Sequence, residues 1–430
     1  MRLHHFYRGK IQMLPKCPVR GLEDFNLWYS PGVAAPCRAI QRDPGLVYEL
    51  TNKANSIAIV SDGTRVLGLG DIGPEAGLPV MEGKALLFKF LGGVDAVPIC
   101  LATKVPEDII RTVKLLEPSF GGINLEDIAQ PKCFRILDAL RGELRIPVWH
   151  DDQQGSATVI LAALINAAQI VGKRLGRLKL ALIGMGAANV ATFRLLRAYG
   201  LDTAGIVACD SRGTLHPGRA DIEAGQASFA DKWRVCTESN AERITGGIDA
   251  ALRGADACVA FSAPGIISAS AVAGMANDAI LLACANPVPE IWPWEAKAAG
   301  ARIVGTGRGD FPNQINNSLC FPGIFRGVLD VRASAISDRM AIAAAEALAK
   351  AGAAGGMTDD RLLPTMADWE VAADVAAAAA AAASAEGLAR APRSAEEERL
   401  AARAIIANAR LATKLLMEGG ALPAVPAVTS

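Results

Sequence analysis

Short apolar runs alternate with longer helix-patterned stretches through the first third of the chain. Residues 56–60, 97–100, 122–125 and 146–149 read as buried strands, and 84–91 and 106–116 carry a helical pattern. Strand and helix alternating at this spacing predict a mostly parallel sheet. A second set of buried-strand runs begins near residue 178: LKLALIG, TAGIVACD, ADACVAFS, AILLACAN and ARIVGTG. Beyond about 330 the chain is alanine-rich and helix-prone to 418, interrupted by the loop AGAAGGMTDDRLLP. The final LPAVPAVTS, with two prolines, predicts an extended tail. The pattern therefore predicts an α/β protein in three parts: an α/β unit over 1–155, a second over 156–335, and a helical segment with tail over 336–430. Eight consecutive alanines at 376–383 lie in a stretch that also carries Asp374, Glu386 and Arg390. Alanine favours helix and close approach, so a helix packed tightly on a neighbour is expected there, not a membrane span.

Two of the predicted strands run directly into adjacent acids: Glu126-Asp127 after 120–125, and Asp151-Asp152 after 146–149. Ligands of open α/β sheets bind beyond the carboxyl ends of strands. Two anionic pairs converging there would repel each other unless a cation sat between them. Oxygen ligands select a hard divalent ion, Mg²⁺ or Mn²⁺. One such pair alone reads as a solvated loop tip; two in equivalent settings favour metal.

The second strand set opens with a dinucleotide fingerprint. LALIGMGAANVATFRLLRAYG is a strand, then Gly184-Met185-Gly186-Ala187-Ala188-Asn189, then an amphipathic helix. Gly184 allows the tight turn, and Gly186 lets the backbone approach a pyrophosphate seated on the helix N-terminus. The next strand ends in Asp210, placed to bind a ribose hydroxyl. These features predict a Rossmann-like, doubly wound NAD(P)-binding domain. Asn189 replaces the small third residue of the fingerprint and is expected to alter helix–strand packing or the pyrophosphate contact. Cofactor choice is pulled both ways. Asp210 favours NAD, while Arg212 and Arg219 could grip a 2′-phosphate with Asp210 turned away to hold the loop. The two arginines tilt the expectation towards NADP.

Glycines crowd the stretch 63–93, which is expected to form a tight loop region ending in Lys84, with an apolar helix opening there. It is not a P-loop: five residues separate Gly77 from Gly83, and Ala85 stands where Ser or Thr is required. A lysine at a helix opening is more often a helix-end cation than a base. Near a metal and another cation, its pKa is expected to fall far enough for it to accept a proton.

Composition narrows the classes. Lys+Arg and Asp+Glu are both 44, a formal net charge of +0, which points to neither nucleic acid nor an anionic membrane surface. Nine scattered cysteines without CxxC spacing predict reduced thiols in a reducing, cytoplasmic compartment. Four histidines and no HExxH argue against a zinc hydrolase. The opening MRLHHFYRGKIQMLPK lacks the uninterrupted apolar segment of a signal peptide, and no run approaches the ~20 apolar residues of a membrane span.

Six blocks then carry a resemblance: LWYSPGVAAPC, SDGTRVLGLGDIGPEAGLPVMEGK, GGINLEDI, HDDQ, ANPVPEIWP and FPNQINNSLCFPGIFRGVLD. In this order, over roughly 20–335, they resemble the malic enzyme family, and most closely its compact bacterial branch, which lacks the phosphotransacetylase-like domain. The alanine-rich tail resembles the family's C-terminal helices. The resemblance implies an N-terminal malate- and metal-binding α/β domain, oxidative decarboxylation of L-malate to pyruvate and CO₂ with reduction of NAD(P)⁺, and a homodimer.

By position it implies roles for individual residues. Tyr29 matches the general acid that protonates C3, and Lys84 the general base that takes the C2 hydroxyl proton and touches substrate. Glu126, Asp127 and Asp152 match metal ligands, with Asp151 beside them in a catalytic or supporting role. Asn286 and Asn317 match substrate-binding positions, Asn286 also bordering the cofactor. The Asn316-Asn317 doublet leaves that register open. Arg65 stands where larger members bind the malate carboxylate. Gln154 and Ser156 depart from the His and Thr of many relatives. Two further readings are an oxaloacetate decarboxylase, should Asn189 spoil cofactor binding, and a non-catalytic nucleotide-sensing paralogue. Retention of Tyr29, Lys84 and three metal carboxylates argues against the latter.

Overall fold

The computed structural model describes residues 1–426 and contains two sheets. The first is all parallel: β1 (Ser56–Ser61), β2 (Asp95–Cys100), β3 (Gly122–Leu125) and β4 (Val148–His150), in the order β2-β1-β3-β4. Every residue of β1, β3 and β4 is buried, as continuous apolar runs covered on both faces require. Helices Pro74–Gly92, Pro106–Leu116 and Lys132–Glu143 make the crossovers.

The second sheet holds β5 (Leu180–Ile183), β6 (Ile206–Asp210), β7 (Gly213–Thr214), β8 (Ala257–Ala260), β9 (Ile280–Ala283) and β10 (Ile303–Thr306). Its order is β10-β9-β8-β5-β6-β7, parallel throughout except for β7, a two-residue edge strand folded back on β6. The order reverses between β5 and β8, which is the switch point of a doubly wound, Rossmann-like sheet. The five strand runs read from sequence are all present; β7 was too short to leave a pattern. Helix Ser156–Ile170 links the two sheets and is almost wholly buried.

Four helices complete the chain: Phe321–Asp330, Asp338–Ala354, Val371–Ala385 and Ala395–Glu418. The alanine run lies in the third and packs as tightly as expected. A Cβ added at Gly323 would stand 2.6 Å from the Ala372 carbonyl, and one at Gly327 2.2 Å from that of Ala376. No described helix is long and apolar enough to cross a membrane. Residues 423–426 have no regular structure, and 427–430 of the expected extended tail lie outside the described residues.

One expectation is corrected. Lys84 does not open a helix at the end of a loop. The helix begins at Pro74, whose fixed φ favours the first turn, and Lys84 sits midway along it. Gly77 and Gly83 are helical, and only 62–73 form the loop. The N-terminal segment behaves differently from the rest: within 1–55 only Asp24 and Lys53 are buried.

Candidate active site

Strand register brings the two acidic pairs together. Leu125 pairs with His150, so Glu126 and Asp151 leave the sheet side by side. After β3 the chain turns at Asp127, whose φ of 55° is left-handed backbone that costs a non-glycine residue about 1–2 kcal/mol. After β4 it enters a widened helical turn over Asp151–Gly155, an expanded geometry frequent at functional sites, before continuing as helix Ser156–Ile170. The Asp127 N–H donates to Asp152 Oδ2 at 2.8 Å, tying the two turns to each other.

One carboxylate oxygen from each of Glu126, Asp127 and Asp152 lies within 4.8 Å of the others. Asp127 Oδ2 is buried without a hydrogen-bond partner. Burial, then the charge of Asp152, pushes Asp127 up to about 8. Burial also raises Glu126 well above the carboxylate range, with Lys84 opposing. Three oxygen donors with an orphaned lone pair and a deficit of positive charge fit a hard divalent cation.

Asp151 is not in that cluster. Fully buried, it accepts from Trp149 Nε1 at 3.0 Å and from Lys84 Nζ at 2.5 Å. Its position requires Gly155, where an added Cβ would stand 1.9 Å from Asp151 Oδ1. Lys84 Nζ also lies 2.9 Å from Glu126 Oε1 and 4.3 Å from the centroid of the Phe321 ring. The expected fall in the Lys84 pKa is not what this charge pattern gives. Burial pulls it down, but Asp151 and then Glu126 more than offset burial, so the net shift is upward.

The other expected site residues are dispersed around this centre. Arg65 is exposed; its N–H donates to the Asp127 carbonyl, and its charge pulls the Asp127 pKa down. Asn317 lies against the 151–155 turn, its Cβ 3.2 Å from where a Gly155 Cβ would be. The Asn316 Oδ1 caps the Ser318 N–H, while Asn317 is the one of the doublet that lies beside the turn. Asn286 is exposed on the facing loop, where a Cβ on Gly68 would stand 2.8 Å from the Asn286 carbonyl. Tyr29 is not brought to Lys84: it is 71% exposed on the N-terminal segment.

At the switch point, Gly184 takes φ 84°, and a Cβ there would stand 2.3 Å from the Phe261 carbonyl. Gly186 meets nothing nearer than Gln130 Nε2 at 4.0 Å, leaving room for a ligand above the helix Ala187–Tyr199. The first-turn N–H groups of Ala187, Ala188 and Asn189 lack intrahelical acceptors by geometry. Of the two expectations for the Asn189 side chain, helix–strand packing is the one the structure shows. It is fully buried and donates to the carbonyls of Ile183, Gly184 and Val259 at 3.0, 2.9 and 3.2 Å. It ties β5 to β8 beneath the turn.

Asp210 is sealed by cations. Arg219 meets it at 3.0 and 3.1 Å and Lys232 at 3.2 Å, and it accepts the Arg212 N–H at 2.9 Å. Burial raises its pKa, but these partners outweigh burial and hold it below the usual range. The Arg212 side chain is 72% exposed and 3.2 Å from Asp221. Sequence reasoning missed Lys232, because nothing in the spacing marks it as a partner of Asp210. It also missed Glu290, fully buried in the block ANPVPEIWP. The Glu290 carboxylate accepts the Ser262 N–H at 2.6 Å and the Ala285 N–H at 3.0 Å, fixing the loops after β8 and β9 to each other.

Comparison with known proteins gives a consistent result. Residues 8–108 match the family model "Malic enzyme, N-terminal domain" and residues 300–384 match "Malic enzyme, NAD binding domain". The bifunctional malic/malolactic enzyme of Bacillus subtilis is 48% identical over 92% of this chain and 95% of its own length. The NAD-dependent malic enzyme of Geobacillus stearothermophilus is 48% identical over 83% of this chain and 73% of its own. The crystal structure of the Entamoeba histolytica malic enzyme superposes with a TM-score of 0.96 at 44% identity, over 99% of this chain and 89% of that one. That of the Pyrococcus horikoshii enzyme gives 0.89 at 46%, over 97% and 96%.

Proposed function

The chain belongs to the malic enzyme family, and from that premise we propose that it converts L-malate to pyruvate and CO₂ with hydride transfer to NAD(P)⁺. The observation that supports this best is Lys84, held between Asp151 and Glu126 at the edge of a three-carboxylate cluster. When bound, Mg²⁺ or Mn²⁺ on Glu126, Asp127 and Asp152 would polarise the substrate oxygens as a Lewis acid, and NAD(P)⁺ on the 184–189 turn would accept the hydride. Lys84 takes the C2 hydroxyl proton once its own proton has passed to Asp151, its hydrogen-bond acceptor. Asp151, oriented by Trp149, keeps the Lys84 Nζ aimed and lies one hydrogen bond away to share that proton. Arg65 and Asn317 bind the malate carboxylates, and Asn286 borders substrate and nicotinamide. Tyr29 is kept as the donor of the proton that ends at C3 on the family resemblance alone, since this chain leaves it exposed away from Lys84.

Malate and metal are assigned to 1–155, dinucleotide to 156–335, and a packing role to the helices and tail of 336–430. NADP is the preferred cofactor in this reading: Asp210 is occupied by Arg219 and Lys232, while Arg212 remains exposed for a 2′-phosphate. The oxaloacetate decarboxylase reading loses its support, since Asn189 braces the fingerprint from below. A homodimer accounts for the N-terminal face, where Leu14, Leu27, Trp28 and Tyr29 are 54%, 62%, 48% and 71% exposed. Nine free cysteines agree with a cytoplasmic setting. The direct test follows reduced nicotinamide by absorbance with L-malate, Mn²⁺ and each cofactor. Malate-dependent reduction accompanied by pyruvate is expected; none with either cofactor overturns the reading.

A further inference from the structure

Behind the turn that carries Asp151 and Asp152 lies a small cavity of about 20 Å³. It opens between the helices Lys132–Glu143, Ser156–Ile170, Ala187–Tyr199 and Asp338–Ala354. Its polar lining is Gln153, Gln154, Arg141, Arg194 and Asp338; the remainder is alanine and leucine. Gln153 is 1% exposed and Gln154 9%, and the amide nitrogen of each is buried with no hydrogen-bond partner. Leaving such a donor unpaired costs about 1–3 kcal/mol, so two side by side call for an explanation.

The two arginines beside them keep hydrogen-bonding capacity to spare. The ion-pair contacts of Arg194, to Asp138 at 3.7 Å and Asp231 at 4.0 Å, are both beyond hydrogen-bond reach. Arg141 donates to the Ile336 carbonyl at 2.8 Å and stands 3.6 Å from Asp338. Asp338 is the one carboxylate in the lining, with Asp138 and Asp231 beside Arg194 outside it. The cavity lining therefore gathers two idle amides and two guanidinium groups, neither held in a hydrogen-bonded ion pair. That is the complement of an anion with several acceptor oxygens.

We propose that this cavity is a binding site for a small oxyanion, a carboxylate or a phosphate, distinct from the malate and dinucleotide sites. Its occupant would act on the metal-binding turn directly. Gln153 and Gln154 belong to the same five-residue turn as Asp151 and Asp152. Gln154 Oε1 also accepts the His150 N–H at 3.0 Å, and the His150 ring lies 3.7 Å from Asp152. An anion that fixes the two glutamines fixes the backbone from which the carboxylates project.

The test reads binding, not turnover, so it stands whether or not malate is the substrate. Thermal melting of the full chain is followed against inorganic phosphate and, separately, acetate, with NADP⁺ saturating to block the pyrophosphate cradle. Wild type, Arg194→Met and Gln153→Leu are compared. Gln153→Leu removes an unpaired donor at similar volume, so the variant should fold at least as stably as wild type without anion. The expected result is a saturable rise in Tm with one of the two anions in wild type, its half-saturation weakened roughly tenfold or more in both variants. The anion that acts identifies the class. No saturable response to either anion, or the same response in all three proteins, overturns the proposal.

Discussion

Two buried charge networks in this chain are built from the same side-chain types and end in opposite states. At the C-terminal helices, Arg326 holds Asp330 in a two-point pair at 2.6 and 2.8 Å, and Arg393 reaches Glu398 at 3.3 Å. Two cations face two acids. Burial, and then the charge of Asp330, pushes Glu398 up to about 8, so at neutral pH it keeps a proton that Asp330 can accept. At the strand ends, Lys84 faces Glu126, Asp127, Asp151 and Asp152, one cation for four acids, with Asp127 Oδ2 orphaned and Asp152 36% exposed. No single proton balances that set. A closed network, in which each acid has a partner, holds helices together. A surplus of one sign, open on one side, marks where a charged ligand belongs.

The largest effect should come from removing the one cation. Lys84→Ala is expected to lower malate oxidation by about 10⁴-fold or more, the upper range for one acid–base group plus lost positioning. Because it also strips Asp151 and Glu126 of their partner, its Tm should be measured with and without Mn²⁺. Activity within a few fold of wild type would remove Lys84 from the mechanism. Metal withdrawal comes next. A chelator should abolish turnover, and either Mg²⁺ or Mn²⁺ should restore it. Asp152→Asn should weaken Mn²⁺ binding, read by titration calorimetry, far more than dinucleotide binding. Full activity in a stripped sample would show that the acid cluster is not a metal site.

Tyr29 tests the comparison from outside both networks. Tyr29→Phe should still reduce oxaloacetate to some extent, yet lose exchange of the pyruvate C3 protons with solvent. Exchange at the wild-type rate would mean that another group donates that proton. A smaller effect is expected at the nucleotide end, where Asp210 is neutralised as Asp330 is. Arg212→Ala should raise the KM for NADP⁺ several-fold and leave that for NAD⁺ nearly unchanged. Equal effects would return the choice to Asp210.

Much of this contrast was legible in the sequence, for physical reasons that differ along the chain. The acidic pairs announced themselves because each follows a buried strand, and strand register does the rest. Gly184 was legible because its turn admits no Cβ. Lys84 was singled out from the sequence but misplaced at a helix start, since helical glycines at 77 and 83 imitate a loop. Asn189 looked like a defect in the fingerprint because its three acceptors come from β5, the turn after it and β8, which only the folded sheet brings within reach. Lys232 and Glu290 were invisible for the same reason: each acts through partners chosen by tertiary contact, not by spacing.

The smallest expected effect isolates the closed network. Glu398 has a folded pKa of about 8, against about 4.3 for an unfolded glutamate. A group raised on folding contributes stability that is fully present below its unfolded pKa and lost as pH rises through the folded value. Wild-type stability should therefore decline from about pH 5 towards pH 9 by a component belonging to Glu398. Glu398→Gln cannot ionise, and its amide can donate to Asp330 as the protonated acid does. The variant should match wild type near pH 5 and melt a few degrees higher near pH 9. Other titrating groups contribute to both proteins alike, so the difference between the two curves is the quantity to read. A difference constant across that range would mean that Glu398 is already ionised beside Asp330, with Arg326 and Arg393 balancing the two acids charge for charge.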